Sequence, residues 1–247
     1  MILRRIKAHV EKENWFAVGI DFVIVVIGVF IGIQVANRNE ARGERSLRTE
    51  YLTQLVEDLQ ADIAETHDTE RQSWTRVAAI DDIFEAADLE LPLREFYAEG
   101  QVMRAPPIPE FEADYAYAHN HTITNLPTFE ETRETFDALV SNGHFSLLND
   151  PDLVRHIQRY QRQVESVKGF DAAIVETFRR LTELRSRNGI SVSGRSTLED
   201  LSEAVEADPQ LGAKLKTYHF NSAVQAGLVI ELRGAAENLV DAIEEAR

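Results

Sequence analysis

Two tyrosines and two histidines near the middle of the chain have the residue types of a metal or ligand site. Tyr115, Tyr117, His119 and His121 alternate along Ala113–Pro127. If this stretch is extended, its period of two places all four side chains on one side. Two imidazoles at that spacing can share a metal ion, and the tyrosines can line a pocket or an interface. No nearby acid completes the ligand set, so the alternative is an ordinary surface loop.

A second group of candidates interrupts three predicted helices near their midpoints, at positions where hydrophobic residues are expected. These residues are Thr66, Glu70, Ser73, Asp171, Ser222 and Gln225. Antiparallel packing would bring them to one level, where buried acids need hydrogen-bonding partners, water or a ligand. One interpretation is a pocket for a small cationic or amine ligand. Its binding residues would be Glu70, Asp171, Ser222 and Gln225. The other is that these residues fix helix register or face solvent.

Motifs of known catalytic chemistry are absent from the sequence. It contains no Walker A loop, GxSxG, HExxH, GxGxxG or ExxH pair, and it has no cysteine. The lack of cysteine excludes thiolate metal sites, cysteine nucleophiles and disulfides. His67, His144, His156 and His219 are scattered, and we expect them to be structural or solvated. The sequence therefore predicts a protein that is not an enzyme and that carries no cofactor.

The segment that must place these candidates relative to a membrane is Phe16–Ala36, which holds a single charge, Asp21. Twenty-one helical residues make a rod of about 31 Å, close to the thickness of a bilayer core. The apolar run is longer than that of a signal peptide, and the best cleavage candidate, at Ala36, lacks a small residue three positions back from the cut. We therefore predict an uncleaved signal anchor that forms one transmembrane helix.

Small residues recur every fourth position in this span, at Gly28, Gly32 and Ala36. Such spacing allows close helix packing in a membrane, although glycine is also common in transmembrane helices generally. Asp21 lies one turn inside the boundary, where a charge costs less than at the midplane. Its carboxylate either reaches the headgroups or pairs with a partner protein.

Charge favours one orientation of the span. Four basic residues stand on each side of it, so the positive-inside count is tied. Of the 26 basic and 42 acidic residues, 8 and 6 lie in residues 1–50, so residues 51–247 carry a net charge of −18. A membrane potential that is positive outside favours export of so acidic a domain. The same charge argues against binding nucleic acid.

The sequence around the span resembles a bacterial family of uncharacterised single-pass membrane proteins. The run DFVIVVIGVFIGIQVANRNE, Asp21–Glu40, is similar to the family's opening signature, in which an acid precedes a V/L/I-rich span that continues as G-I-L-I-A-L and an Asn-Glu cluster. Thr135–Gln161 is similar to a later block of that family. Asp21 stands where the family favours Glu, and Arg38 where it favours Trp. The resemblance implies a helical protein of the inner membrane and brings no activity with it.

The rest of the chain shows helical periodicity. Hydrophobic positions spaced by alternating steps of four and three form coiled-coil-like seams over Leu52–Leu91, Leu153–Leu181 and Leu211–Ile243. Pro92 ends or kinks the first of these helices. Asp150 with Pro151, and Asp208 with Pro209, are typical helix starts, and Gly143 and Gly189 are typical stops.

Between the long helices we predict shorter elements. A helix over Leu93–Glu99 and an extended run over Arg104–Pro109 come first. A helix capped by Thr128 with Glu131 reaches about Ser141, and Ser196 with Glu199 starts another.

These elements combine into an all-α fold: one N-terminal transmembrane helix followed by an elongated antiparallel helical bundle. The predicted parts are a short cytoplasmic tail, the span, a long helix continuing from the membrane, an irregular segment and the remaining helices of the same bundle. Their bounds are residues 1–15, 16–36, 37–91, 92–127 and 128–247.

The functional expectation follows from this arrangement. We expect a bacterial inner-membrane protein with its N-terminus in the cytoplasm and its C-terminal domain in the periplasm. It would work by interaction, as a homo-oligomer or as an accessory subunit of a membrane complex, with the lipid bilayer and another membrane protein as partners. The alternative is a sensor domain that binds a small ligand in the polar level of the bundle.

Overall fold

The computed structural model divides the chain into two compact units, Met1–Tyr51 and Leu52–Arg247. It describes the backbone of residues 15–92, 95–98, 101–104, 110–148 and 150–247, and the side chains of residues 19–92, 110–148 and 150–247. The boundary at Leu52 differs from the prediction, which placed residues 37–51 in the same domain as the bundle.

The described part of the first unit is helical. Helix α1 covers Trp15–Ala86 without interruption and therefore contains the predicted span. The large hydrophobic side chains between Ile20 and Val35 are exposed, and no part of this apolar window is buried within the protein. The helix is long and apolar enough to cross a membrane.

The second unit contains the remaining helices. After α1 come a hairpin of two strands, β1 (Glu95–Ala98) and β2 (Gln101–Arg104), then α2 (Ala118–Thr124), α3 (Glu134–Ser141), a 3₁₀ helix (His144–Leu148), α4 (Pro151–Arg187), α5 (Leu198–Ala207) and α6 (Pro209–Ala246). The all-α prediction is confirmed, with the short hairpin as the one departure among the described residues.

Helix α6 runs antiparallel to α1, and hydrogen bonds fix this direction. The Arg247 guanidinium donates to the Leu52 carbonyl oxygen (3.1 Å) near one end of the unit. The His219 imidazole contacts the Asp81 carboxylate (3.1 Å) towards the other end. Helix α4 packs along α6, and its Tyr160 hydroxyl donates to Asp62 of α1. The predicted antiparallel bundle is therefore present, with α4 running in the same direction as α1.

Because α1 and α4 are parallel, the chain between them must return along the full length of the unit. Residues 118–135 contact α1 in descending order. His119 meets Asp82 (2.8 Å), Asn125 meets Gln72 (2.9 Å), the Thr132 amide donates to Asp62 (2.8 Å), and the Thr135 amide donates to Asp58 (3.1 Å). This returning segment fills the fourth side of the bundle.

The predicted hydrophobic seams form the core of the second unit. One apolar cluster includes Leu52, Leu59, Ile157 and Leu239, and the other includes Phe84, Ile174, Leu181 and Leu215. Each of these side chains is nearly or fully buried. Burying one such side chain contributes about 1.5–3 kcal/mol, so the seams account for most of the driving force that pairs the helices.

The predicted boundaries of α4 and α6 are confirmed. The Asp150 carboxylate accepts hydrogen bonds from the first amides of α4, and Asp208 does the same for α6. Gly143 and Gly189 follow helix ends with φ of 69° and 77°, where glycine avoids the strain of a side chain. Helix α1 ends at Ala86, a few residues before Pro92.

The short elements differ from their predictions. The Leu93–Glu99 helix is wrong: Glu95–Ala98 is a strand paired with Gln101–Arg104, consistent with the β propensity of its aromatic residues. Most of the predicted extended run Arg104–Pro109 lies outside the described residues.

Two helix starts are also corrected. The helix predicted from Thr128 begins at Glu134, because the chain before it is held against α1 by the contacts given above. The capping box of α5 is formed by Thr197 and Asp200, one residue later than predicted for Ser196 and Glu199.

Candidate functional site

Five of the buried polar side chains meet near the middle of the second unit: Ser73, Arg76, Asp171, Ser222 and Gln225. We call this set the polar layer. Helix α1 supplies the first two, α4 the third and α6 the last two. Three of the four predicted ligand-binding residues, Asp171, Ser222 and Gln225, are therefore brought together as expected.

Gln225 links the members of the polar layer. Its Nε2 donates to Asp171 (2.7 Å) and to the Pro127 carbonyl oxygen (2.9 Å). Its Oε1 accepts from the Ser73 hydroxyl (2.9 Å) and lies 3.4 Å from Nη1 of Arg76. One amide side chain thus connects a buried carboxylate with a buried guanidinium.

Asp171 is almost fully buried and also accepts a hydrogen bond from the Phe129 amide (2.9 Å). Burial raises the pKa of Asp171, while the bonds from Phe129 and Gln225 and the charge of Arg76 act in the opposite direction. The net effect is a raised pKa. The carboxylate is therefore costly to ionise here, although its partners offset part of that cost.

Arg76 is fully buried and was missed by the sequence analysis. Its Nη1 donates to Ser222 (3.0 Å), its Nη2 donates to the Asn125 carbonyl oxygen (3.1 Å), and its guanidinium lies 5.2 Å from the centre of the Tyr218 ring. Burial lowers its pKa, and the charge of Asp171 partly compensates. The signal in the sequence was its spacing, three residues after Ser73 and four before Ile80, both of which belong to the seam.

The polar layer is covered by the returning segment of the same chain. Asn125, Pro127 and Phe129 each contribute one backbone hydrogen bond to it. Arg76 already supplies the cation that a bound amine was predicted to supply. This arrangement favours the register interpretation over the cationic-ligand pocket, because the polar groups satisfy one another.

Glu70 lies outside the polar layer, which corrects the prediction. Its carboxylate pairs with Arg233 of α6 (2.6 Å) at a partly exposed position, where Arg233 also contacts His67. Thr66 is buried, and its hydroxyl donates to the Ile63 carbonyl oxygen of its own helix. Neither side chain contributes a contact to Gln225 among the described residues.

The predicted histidine pair is separated by the local structure. Ala113–Pro127 is not extended, because residues 118–124 form α2. Two helical positions two apart point in nearly opposite directions. His119 is buried against Asp82 and the Phe111 ring, whereas His121 is exposed and contacts the Tyr115 hydroxyl (2.9 Å).

These positions explain why the extended interpretation was wrong. Helix formation buries His119 and Asn120 against the bundle. These tertiary contacts outweigh the alternating sequence pattern that predicted an extended stretch. Among the described residues no group of three or more His, Cys, Asp or Glu side chains is placed to hold a metal ion.

A second buried pair joins α1 and α6. His219 and Asp81 are 3.1 Å apart, and both side chains are nearly fully buried. The adjacent residue Asp82 pairs with His119 of α2 (2.8 Å). Consecutive acids on α1 therefore contact a histidine on each of two other helices; the sequence analysis treated His219 as a scattered residue and His119 as a metal candidate.

The candidates within the span lie on an exposed helix surface. Gly28, Gly32, Ala36 and Asp21 are all exposed in the first unit. A methyl group added at Gly28 or Gly32 would meet no atom within 4 Å. The small-residue face is therefore open along this part of α1.

Grooves on the second unit lie away from the polar layer. One of about 500 Å³ is lined by Glu90, Leu91, Pro92, Lys216, Thr217 and Phe220. A smaller one of about 350 Å³ is lined by residues of α5, α6 and the end of α1. Neither contains a member of the polar layer.

Comparison with known proteins gives no relative for this arrangement. No family model, no curated protein and no solved structure matches the chain. Functional inference therefore depends on the physical features of the two units.

Proposed function

We propose that this chain is a single-pass membrane protein whose helical second unit works by binding other proteins and carries out no catalysis. The partner is a second copy of the chain or another membrane protein. The observation that carries the proposal is α1, which contains both a fully exposed apolar window and the core positions of the second unit. An anchor and a folded domain are thus built on one helix.

The exposed window supports a role for the bilayer. Sixteen residues from Ile20 to Val35 include large aliphatic and aromatic side chains with roughly half of their surface exposed. A water-soluble protein rarely exposes so large an apolar surface. Lipid tails would cover it at no cost in hydrogen bonding, because every backbone group inside a helix is already paired.

The second unit supports interaction over small-ligand sensing. Its polar layer is closed by backbone groups of residues 125–129, and its charges are balanced within the chain. A ligand would have to displace these bonds to enter. The second unit would therefore bind its partners through its outer surface.

We place the protein in a bacterial inner membrane, with residues 1–15 in the cytoplasm and the second unit in the periplasm. The net charge of −18 beyond residue 50 supports this orientation. The resemblance of Asp21–Glu40 to the single-pass bacterial family supports the same compartment.

Self-association through the span is testable with glycine variants. We expect native mass spectrometry of the full chain, extracted gently from its own membrane, to show a homo-oligomer or a stoichiometric second membrane protein. Replacing Gly28 and Gly32 together by Ile should disrupt a complex that packs on this face. Gly19→Ile is the matched control, because Gly19 lies on the opposite side of the helix from Gly28 and is equally open.

The outcomes separate the alternatives. Loss of the complex in the double variant, with retention in Gly19→Ile, supports packing through the small-residue face. A complex that survives both changes assigns the contact to another surface. A monomer that carries a reproducible small organic ligand would instead support the sensor alternative and contradict the proposal.

Orientation has its own test, which the lack of native cysteine makes clean. Single cysteines at the exposed positions Ser141 and Glu203 should react with a membrane-impermeant maleimide in cells with a permeabilised outer membrane. Lys7→Cys should react only after the inner membrane is broken. The reverse pattern would place the second unit in the cytoplasm.

A further inference from the structure

A second buried arginine, Arg185, has no acidic partner among the residues that the structure describes. Its side chain is 1% exposed. One nitrogen, Nη2, donates to the side-chain oxygen of Asn120 on α2. Nε and Nη1 have no hydrogen-bond partner among the described residues. Arg185 is therefore a buried cation with two unused donors.

The same region contains further unused donors. The Tyr218 hydroxyl and Nε of Arg76 are both buried and have no partner within the described part of the chain. The Tyr218 ring lies beside the Arg76 guanidinium at 5.2 Å, and the charges of both arginines act on the Tyr218 hydroxyl. Helices α1, α4 and α6 thus each contribute a buried donor that has no acceptor among the described residues, and the arginines of α1 and α4 both act electrostatically on the tyrosine of α6.

Electrostatics shows what this cluster needs. Burial lowers the pKa of Arg185 to about 10, so the guanidinium keeps its positive charge at neutral pH. Among the described residues no carboxylate pairs with this guanidinium, and the phenol of Tyr218, which interacts with it electrostatically, is neutral at pH 7 because burial raises the pKa of Tyr218. A buried charge without a counter-charge destabilises the folded state. By contrast, the charge of Arg76 is balanced by Asp171 through Gln225.

We propose that Arg185, Tyr218 and Arg76 form an internal binding site for a small inorganic anion of the chloride type. The anion accepts hydrogen bonds from Nε and Nη1 of Arg185 and from the Tyr218 hydroxyl, and it neutralises the guanidinium. The inference is independent of the proposed function.

Enclosure restricts the ligand to a small ion. Arg76 and Tyr218 are fully buried and Arg185 is nearly so. Because these three side chains are closed off from solvent, a small ion suits the site better than an organic acid or a nucleotide. The bound anion would link α1, α4 and α6 close to Asn120 of α2. It would therefore stabilise the folded unit and would not be a substrate.

The first experiment is thermal unfolding of the full chain in detergent, in sodium chloride against sodium gluconate at equal ionic strength. Because the anion binds only the folded state, we expect the midpoint to rise by roughly 3–6 °C when chloride is ten times its dissociation constant. Arg185→Gln should abolish the dependence. Arg187→Gln, an exposed residue at the end of the same helix, removes the same charge and should preserve it.

A milder variant and a direct measurement keep the test decisive if Arg185→Gln does not fold. Tyr218→Phe removes one donor and retains both guanidinium groups, and should weaken chloride binding about tenfold. Crystals of the full chain grown in sodium bromide should show an anomalous peak beside Arg185. Equal unfolding in chloride and gluconate, or bromide crystals with no peak there, would overturn the proposal and assign water to the site.

Discussion

Two arginines of the second unit are buried to the same extent but are stabilised in different ways. Arg76 belongs to the polar layer, where Gln225 connects it to Asp171, and the Ser222 hydroxyl and the Asn125 carbonyl oxygen accept hydrogen bonds from its Nη1 and Nη2. Arg185 has one side-chain amide as its partner and two nitrogens without any among the described residues. The first charge is neutralised by the chain itself, and the second requires something from outside it.

The difference shows how a buried charge separates structure from binding. A network whose donors and acceptors match contributes specificity to the fold and leaves nothing for a ligand. A cluster with surplus donors remains incomplete until an acceptor arrives. The predicted ligand site, the polar layer, is of the first kind apart from Nε of Arg76, and the unpredicted cluster around Tyr218 is of the second kind.

The largest effect should come from breaking the polar layer. Asp171→Leu leaves the Phe129 amide and Gln225 without an acceptor and leaves the Arg76 charge unbalanced. We expect a loss of about 3–5 kcal/mol in the free energy of unfolding, measured by chemical denaturation of the full chain in detergent. Glu165→Leu, at an exposed position of the same helix, should change little. A stabilised Asp171→Leu protein would show that the layer contributes no net stability.

A direct comparison of the two arginines comes next. Arg76→Met should destabilise the protein by about 3 kcal/mol, because it leaves the buried Asp171 without a counter-charge and several acceptors without a hydrogen bond. Arg185→Met, measured without halide, should cost less than about 1 kcal/mol or stabilise the protein, because it removes an uncompensated buried charge. Equal losses in the two variants would mean that the two environments do not differ as described.

The pH dependence of stability should also differ between Asp171 in the polar layer and Arg185. The pKa of Asp171 is raised in the folded state, so the folded protein holds more protons than the unfolded chain above the usual aspartate value of 3.8. Wild-type stability relative to Asp171→Asn should therefore fall as pH rises from about 4 through the raised pKa, and then stay constant.

Arg185 should act at the alkaline end instead. Its folded pKa of about 10 lies below the ordinary arginine value, so the cost of burying its charge disappears as pH rises from about 10 towards that value. Without halide, wild type should gain stability relative to Arg185→Met above about pH 10. The measurement is the unfolding midpoint of wild type and Asp171→Asn in the acid range, and of wild type and Arg185→Met in the alkaline range. A stability difference between wild type and Arg185→Met that changes in the acid range would contradict the role given to Arg185.

The smallest effect should come from Glu70, which was predicted to belong to the polar layer. Its contact with Arg233 is a partly exposed ion pair. Glu70→Gln should reduce stability by about 0.2–1 kcal/mol, and a double-mutant cycle with Arg233→Gln should recover a coupling of the same size. A loss of unfolding free energy as large as that of Asp171→Leu would show that Glu70 belongs to the polar layer.

Local signals determined the long helices and their ends. Hydrophobic steps of four and three, an acid followed by proline, and glycine after a helix all act within a few residues, and each can therefore be read from the sequence. The apolar span is of the same kind, because its length and composition alone match a bilayer. The antiparallel direction of α6 follows from the seams and the short connection through α5.

Contacts between distant residues decided the rest. The local period of two in Ala113–Pro127 predicted an extended run, whereas the helix at Ala118–Thr124 and the start of α3 at Glu134 are set by acids of α1 and α4 that are far away in sequence. Arg185 occupies the next seam position after Leu181, a signal that was present but overlooked. Whether its charge is balanced depends on the side chains that four different elements bring together, which the tertiary structure alone decides.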